Sequence, residues 1–187
     1  MADDEDVAAK HAQYYVRSPV LLQGTVLRGV PIYEETVEST LEAPSVRRED
    51  LDVIVLTQSC DIVNKASQPR LLVAEVQTYS AMVVDRAGTE SARAGYRKHL
   101  VRGTAVSDLL LPPCALLGID DFLIVNFREL HTLFKSRVAS QVGGFVCLES
   151  PYREHLIQEY ARFHMRVGTP TPPLHEFERH QPRPIGR

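Results

Sequence analysis

The segment Leu51-Asp52-Val53-Ile54-Val55-Leu56-Thr57-Gln58 constrains the fold more than any other. In an extended strand, Val53 to Leu56 project alternately to the two sides, so both faces need apolar cover. This predicts a central strand of a sheet or of a closed barrel rather than an edge. Leu71 to Ser80 reads as a second strand, alternating apolar and polar in its later half, and Phe122 to Phe127 as a third. Val20 to Leu27 reads as an entry turn and first strand, and Val142 to Leu148 as a late strand broken by Gly143-Gly144. Leu109-Leu110-Leu111 is stopped by Pro112-Pro113, because neither proline can donate to a ladder.

One helix is clear. From Pro151 to Val167 the apolar residues Leu156, Ile157, Tyr160, Phe163 and Val167 recur at helical spacing. Ser150 is the expected N-cap, Glu154 lies near the capping-box position, and Gly168 with Pro170 ends the helix. A short helix is expected around Ala8 to Val16, and a helix or turn at Ser136 to Ala139. Glu34 to Asp50 reads as a loop or hairpin excursion, while Ala81 to Val106 has no clean period. No strand–helix–strand alternation is present, which excludes a doubly wound sheet. The expected fold is mainly β (α+β), a small bent or closed antiparallel β-barrel with peripheral helices and a C-terminal helix. The expected organisation is an acidic arm with a short helix over 1–17, one barrel-plus-helix domain over 18–168, and a proline-rich tail over 169–187. That tail holds five of the chain's 12 prolines.

Composition narrows the class. With 44% hydrophobic residues in 187, the chain has enough apolar material for a core. Its apolar runs are far shorter than the ~20 residues of a membrane span. The start M-A-D-D-E-D is acidic where a secretory leader is basic, so a cytoplasmic protein with no membrane partner is expected. Three cysteines without a C-x-x-C pair argue against a zinc ribbon or disulfide scaffold, and no metal or cofactor is expected.

Three groups of residues could carry chemistry. Cys60, in the turn Ser59-Cys60-Asp61 after the central strand, is open to two readings, a presented nucleophile or a thiol packed at a turn. As a nucleophile it needs a histidine brought in by folding, with His99, His131 and His155 available. Arg93, Arg97, Lys98 and Arg102 surround Tyr96, a mixture that neutralises phosphates and stacks a base, and Arg47-Arg48 could extend it. The acidic pair Asp120-Asp121 precedes a strand and is better suited to capping or turn formation than to catalysis.

The order of elements resembles that of the PemK/MazF-like toxins. The likeness rests on Gly24-Thr25-Val26, Val53 to Gln58, Leu72 to Thr78, and Phe122 to Leu133 followed by Lys135-Ser136-Arg137-Val138. The resemblance implies a small β-barrel that engages single-stranded RNA, as a toxin or defence component of a bacterial conflict or stress system. It also implies a metal-independent endoribonuclease in which the ribose 2′-hydroxyl attacks and an arginine stabilises phosphate charge. The arginine would fall near Arg48 and the catalytic hydroxyl on Thr78, with Ser80 behind it. Asp50-Leu51-Asp52 departs from the arginine–proline step of that family, and this departure favours binding without cutting. Two other classes compete. One is a non-catalytic adaptor subunit that meets a protein partner through its N- or C-terminal arm. The other is a thiol enzyme using Cys60.

Overall fold

The computed structural model describes residues 14–64, 69–85, 90–138 and 144–165. Seven strands form one sheet: β1 (Tyr15–Ser18), β2 (Thr25–Glu35), β3 (Val46–Val55), β4 (Arg70–Thr78), β5 (Asp108–Leu111), β6 (Leu123–Phe134) and β7 (Phe145–Leu148). Their order is β1-β7-β2-β3-β4-β6-β5, every neighbouring pair is antiparallel, and the sheet curls into a half-barrel. The expected mainly β class is present, in its bent rather than its closed form. Five helices accompany the sheet among the described residues: α1 (Ser59–Asn64), α2 (Tyr79–Asp85), α3 (Glu90–Val101), α4 (Lys135–Val138) and α5 (Tyr152–His164).

β3 occupies the predicted central place. Ile54 and Leu56 enter one apolar cluster with Val26, Ala74, Val76, Val125 and Phe127. α5 covers that cluster, with Leu156 fully buried and the Phe127 ring 5.7 Å from Tyr160 and 6.3 Å from Phe163. Val53 and Val55 enter a second cluster with Leu27, Ile32, Leu71, Val73 and Leu133. A third, smaller cluster of Met82, Leu100 and Ile124 lies under α2 and α3.

Two irregularities shape the sheet. Between Leu27 and Val30, Arg28 and Gly29 together oppose Asp52. The Asp52 carboxylate accepts the Gly29 N–H at 2.8 Å and Arg28 Nε at 3.2 Å, and Gly29 takes a φ of 57°. Beyond this bulge β2 and β3 continue as a two-stranded ribbon, Val30–Glu35 against Val46–Leu51. In β6, Leu130 pairs with Ala74 but Asn126 pairs with Glu75, so Phe127 to Glu129 form a three-residue excursion.

Several local expectations differ from the structure. Tyr15 and Val16 belong to β1, paired with Leu148 and Cys147, instead of ending a helix. Apolar burial of Tyr15 and its hydroxyl bond to Pro112 O (2.8 Å) tie this segment into the sheet, so the expected boundary at 17 cuts through a strand. Glu34 to Asp50 takes the hairpin form, one of the two expected there, and Ala81 to Val106, which showed no clean period, holds most of α2 and all of α3. Pro151, not Ser150, takes the N-cap position of α5, with no side-chain cap bond, and Met165 is the C-cap. The remainder of the N-terminal arm, the residues beyond Met165 including the proline-rich tail, and Gly143 lie outside the described residues.

On the face of the second and third clusters, Glu75, Asn126 and Asp108 form one cross-strand row between them. Burial raises the Glu75 carboxyl above its ordinary range. A bond from Gln77 Nε2 (2.6 Å) opposes the rise, Glu129 and Glu49 add to it, and His131 subtracts. The folded protein therefore keeps a proton that the unfolded chain releases. Stability from this group is present below the unfolded carboxyl range and is lost as pH rises through the raised value. Glu75→Gln should be more stable than wild type at about pH 7, with the gain vanishing near pH 3, as read by urea unfolding at both pH values. Phe127→Ala should cost about 3–5 kcal/mol in the same assay, and Leu41→Ala, at a fully exposed position of the ribbon loop, almost nothing.

Candidate nucleic-acid interface

α3 is amphipathic in an unusual way. Tyr96 and Leu100, four residues apart, face the sheet. The Tyr96 hydroxyl donates to Asp108 Oδ2 at 3.0 Å and lies 3.0 Å from Met82 Sδ, and Leu100 is buried. At about 100° per residue, Arg97, Lys98 and Arg102 then fall on the outer arc with Val101 among them, while Arg93 lies one turn before Arg97 on the side of Leu100. All four cations are exposed, as is Val101. Among the described residues no carboxylate lies within ion-pair reach of any of them. Gly103, at a φ of 62°, ends the helix, and its carbonyl accepts Arg162 Nη2 of α5 at 2.9 Å.

Beside this arc is an apolar cleft of about 200 Å³ lined by Tyr79, Arg97, Leu100, Val101, Leu110 and Phe122. Phe122, just before β6, is 44% exposed there, which is high for an aromatic ring beside a buried strand. Asp121 positions the cleft. Its carboxylate accepts Ser80 N–H at 2.8 Å in the first turn of α2 and Phe122 N–H at 2.7 Å, and Tyr79 N–H donates to Phe122 O at 2.7 Å. Burial works against the charged form, but these donors hold the Asp121 carboxyl below its ordinary range. The capping role expected for Asp120-Asp121 is thus carried by Asp121.

The other sequence-predicted residues lie elsewhere. Arg48 stands on the β2–β3 ribbon, gripped by Asp50 through Nε (3.1 Å) and Nη2 (2.8 and 3.1 Å). Arg47 pairs with Glu49 at 3.1 Å and with Glu34 at 4.0 Å. Thr78 Oγ1 accepts Ala81 N–H at 3.3 Å, closing the first turn of α2. No hydrogen bond, ion pair or cleft among the described residues joins Arg48 to Thr78. Cys60 is exposed on α1, its Sγ 3.6 Å from Gln58 Oε1 and 3.9 Å from Asp61 Oδ1, with no histidine bonded to it among the described residues. Cys114 and Cys147 are buried, and burial pushes both thiols up. The structure therefore brings Arg93, Tyr96, Arg97, Lys98 and Arg102 together on one helix and leaves Arg47, Arg48, Thr78 and Cys60 outside it.

Among the described residues, no three histidine, cysteine, aspartate or glutamate side chains converge to hold a metal ion, and no helix is long and apolar enough to cross a membrane. Tyr79 and Phe122 were not legible as site residues, since strand-flanking aromatics are usually core and only the fold shows the cleft. The sequence matches no protein-family model and no curated protein. Asp121→Ala should cost about 1 kcal/mol through the lost cap and speed hydrogen exchange at the Ser80 amide, while leaving amides of β3 protected.

Proposed function

We propose that this protein is a PemK/MazF-like half-barrel of a bacterial conflict or stress system that binds single-stranded RNA along α3 without cleaving it. The observation that carries the reading is an arc of three exposed cations, with Arg93 beside it and no carboxylate counter-charge among the described residues, set beside an apolar cleft with an exposed aromatic ring. Cations of this kind track a phosphate backbone by releasing its counterions. Phe122 and Tyr79 supply π-faces on which a splayed base stacks, an interaction that tolerates any sequence.

The reading is one of binding because the residues expected for cleavage are committed elsewhere. Scission through the 2′-hydroxyl needs a cationic donor held at the scissile phosphate. The Arg48 guanidinium is satisfied on two sides by Asp50, and the Thr78 hydroxyl accepts a backbone N–H of α2.

Fluorescence anisotropy with a labelled single-stranded RNA oligomer tests this. Arg97→Ala and Arg102→Ala should each weaken binding and lower the slope of log affinity against log salt by about 0.7. Phe122→Ala should weaken binding by about 1–3 kcal/mol with little change in that slope. Absence of binding at low salt, or affinity unmoved by all three substitutions, would overturn the reading. The RNA should remain intact on a denaturing gel, and cutting that disappears in Arg48→Ala would overturn its non-cleaving part.

A further inference from the structure

The apolar cleft beside α3 measures about 200 Å³ and leaves Phe122 44% and Val101 77% exposed. Pockets for drug-sized ligands start at roughly 300 Å³, so this one suits a single inserted side chain. We infer that Phe177 of this chain's own C-terminal tail docks in the cleft, with Glu176 and Glu178 meeting the cations of α3, and that the tail thereby competes with RNA.

Position favours a tethered occupant. Leu100 and Val101 wall the cleft, and α3 gives way to Gly103 just beyond them. The Gly103 carbonyl accepts Arg162 Nη2 at 2.9 Å, which pins the last turn of α5 to this end of α3. The tail therefore departs, after Met165, from beside the cleft; residues 166–187 themselves lie outside the described residues. Phe177 comes 12 residues after Met165, a reach of up to about 37 Å at the ~3.1 Å per residue of Pro-rich chain. Arg97, in the same wall, is only about 9 Å along the helix axis from Gly103. A tether this short gives its end an effective concentration on the order of millimolar, so even a weak site fills.

Chemistry selects the segment. Phe177 is the one aromatic residue of the sequence outside the described residues, and it stands between Glu176 and Glu178. Seating its ring brings two carboxylates to the border of the cleft, where Arg97, Lys98 and Arg102 have none among the described residues. The acidity is local, because Arg166, Arg179, Arg183 and Arg187 make the tail as a whole cationic. Only a register that seats Phe177 therefore matches the charge of α3. The N-terminal arm offers acid at Asp3-Asp4-Glu5-Asp6 but no ring over residues 1–13. A ring flanked by anions presents the two features of a nucleotide, a π-face and negative charge. The competition rests on the RNA-binding reading above; the docking does not.

Methyl NMR of the full-length protein, labelled on leucine and valine, tests the docking without RNA. Phe177→Ala should shift the Val101 and Leu110 methyls, which lose a neighbouring ring, and leave those of Val53 and Val55 in place. A synthetic peptide of residues 172–181, at millimolar concentration, should return the shifted signals saturably. Ile185→Ala should move none of them. Cleft methyls unmoved by Phe177→Ala, or a peptide without effect, would overturn the inference. Shifts that follow neutralisation of Asp3 to Asp6 instead would overturn it in favour of the N-terminal arm. A dimer by light scattering that Phe177→Ala dissociates would overturn it in favour of a second copy's tail. In the RNA anisotropy assay, Phe177→Ala and the Glu176→Gln, Glu178→Gln double variant should each raise affinity about threefold or more. Cleft methyls that move while RNA affinity does not would overturn the RNA reading of the cleft and leave the docking in place.

Discussion

Val53 and Val55 turn to one apolar cluster and Ile54 and Leu56 to the other, so a single stretch of backbone must be kept dry on both sides. Fully burying an aliphatic side chain is worth about 1.5–3 kcal/mol, so four of them together rival the ~5–15 kcal/mol net stability of a domain. The rest of the architecture serves this requirement. α5 covers one side with Leu156, Tyr160 and Phe163. The other side is closed by the ribbon through Ile32, by α1 through Ile62 and by α4 through Val138. The half-barrel is therefore less a container than a partition with a lid on each side.

Charge is distributed with equal asymmetry. The chain's net charge of −3 suggests a bland surface. In the folded protein the ribbon's arginines are consumed locally, Arg48 by Asp50, Arg47 by Glu49, and Arg28 by Asp52. The cations of α3 are left without carboxylate partners among the described residues, while Glu34 is engaged by His131 at the far end of β6. Exposed ion pairs add little stability, but they decide which cations can meet an external partner.

The central strand was legible because four adjacent apolar residues leave few alternatives, and the α5 face because its spacing is regular over several turns. The basic cluster around Tyr96 was legible as composition, but not as a helix, since Ala81 to Val106 mixes small and charged residues without a clean apolar stripe. Arg48 and Thr78 were singled out by resemblance, and the structure gives each a local partner that the sequence could not reveal. Glu34 and His131 are 97 residues apart, so nothing local announces their contact. Tyr15 misled because a four-residue edge strand is too short to display alternation.

The two irregularities of the sheet have a shared arithmetic property. Side chains along a strand obey a two-residue beat, and each insertion contains an odd number of extra residues, one in β2 and three in β6. Each therefore reverses the parity of everything beyond it. Leu27 shares the inner face with Val53, yet past the bulge that face belongs to even-numbered Val30, Ile32 and Glu34. In β6 it passes from even-numbered Ile124 and Asn126 to odd-numbered His131 and Leu133. Glu34 and His131 thus meet on the inner face because both strands have been put out of step once. Deleting Gly29 would remove the bulge and yet leave Val30, Ile32 and Glu34 facing inward, whereas a regular ladder that kept every residue would turn Pro31 and Tyr33 inward in their place. The contact between Glu34 and His131 is in this sense written in the counting of residues as much as in their identities.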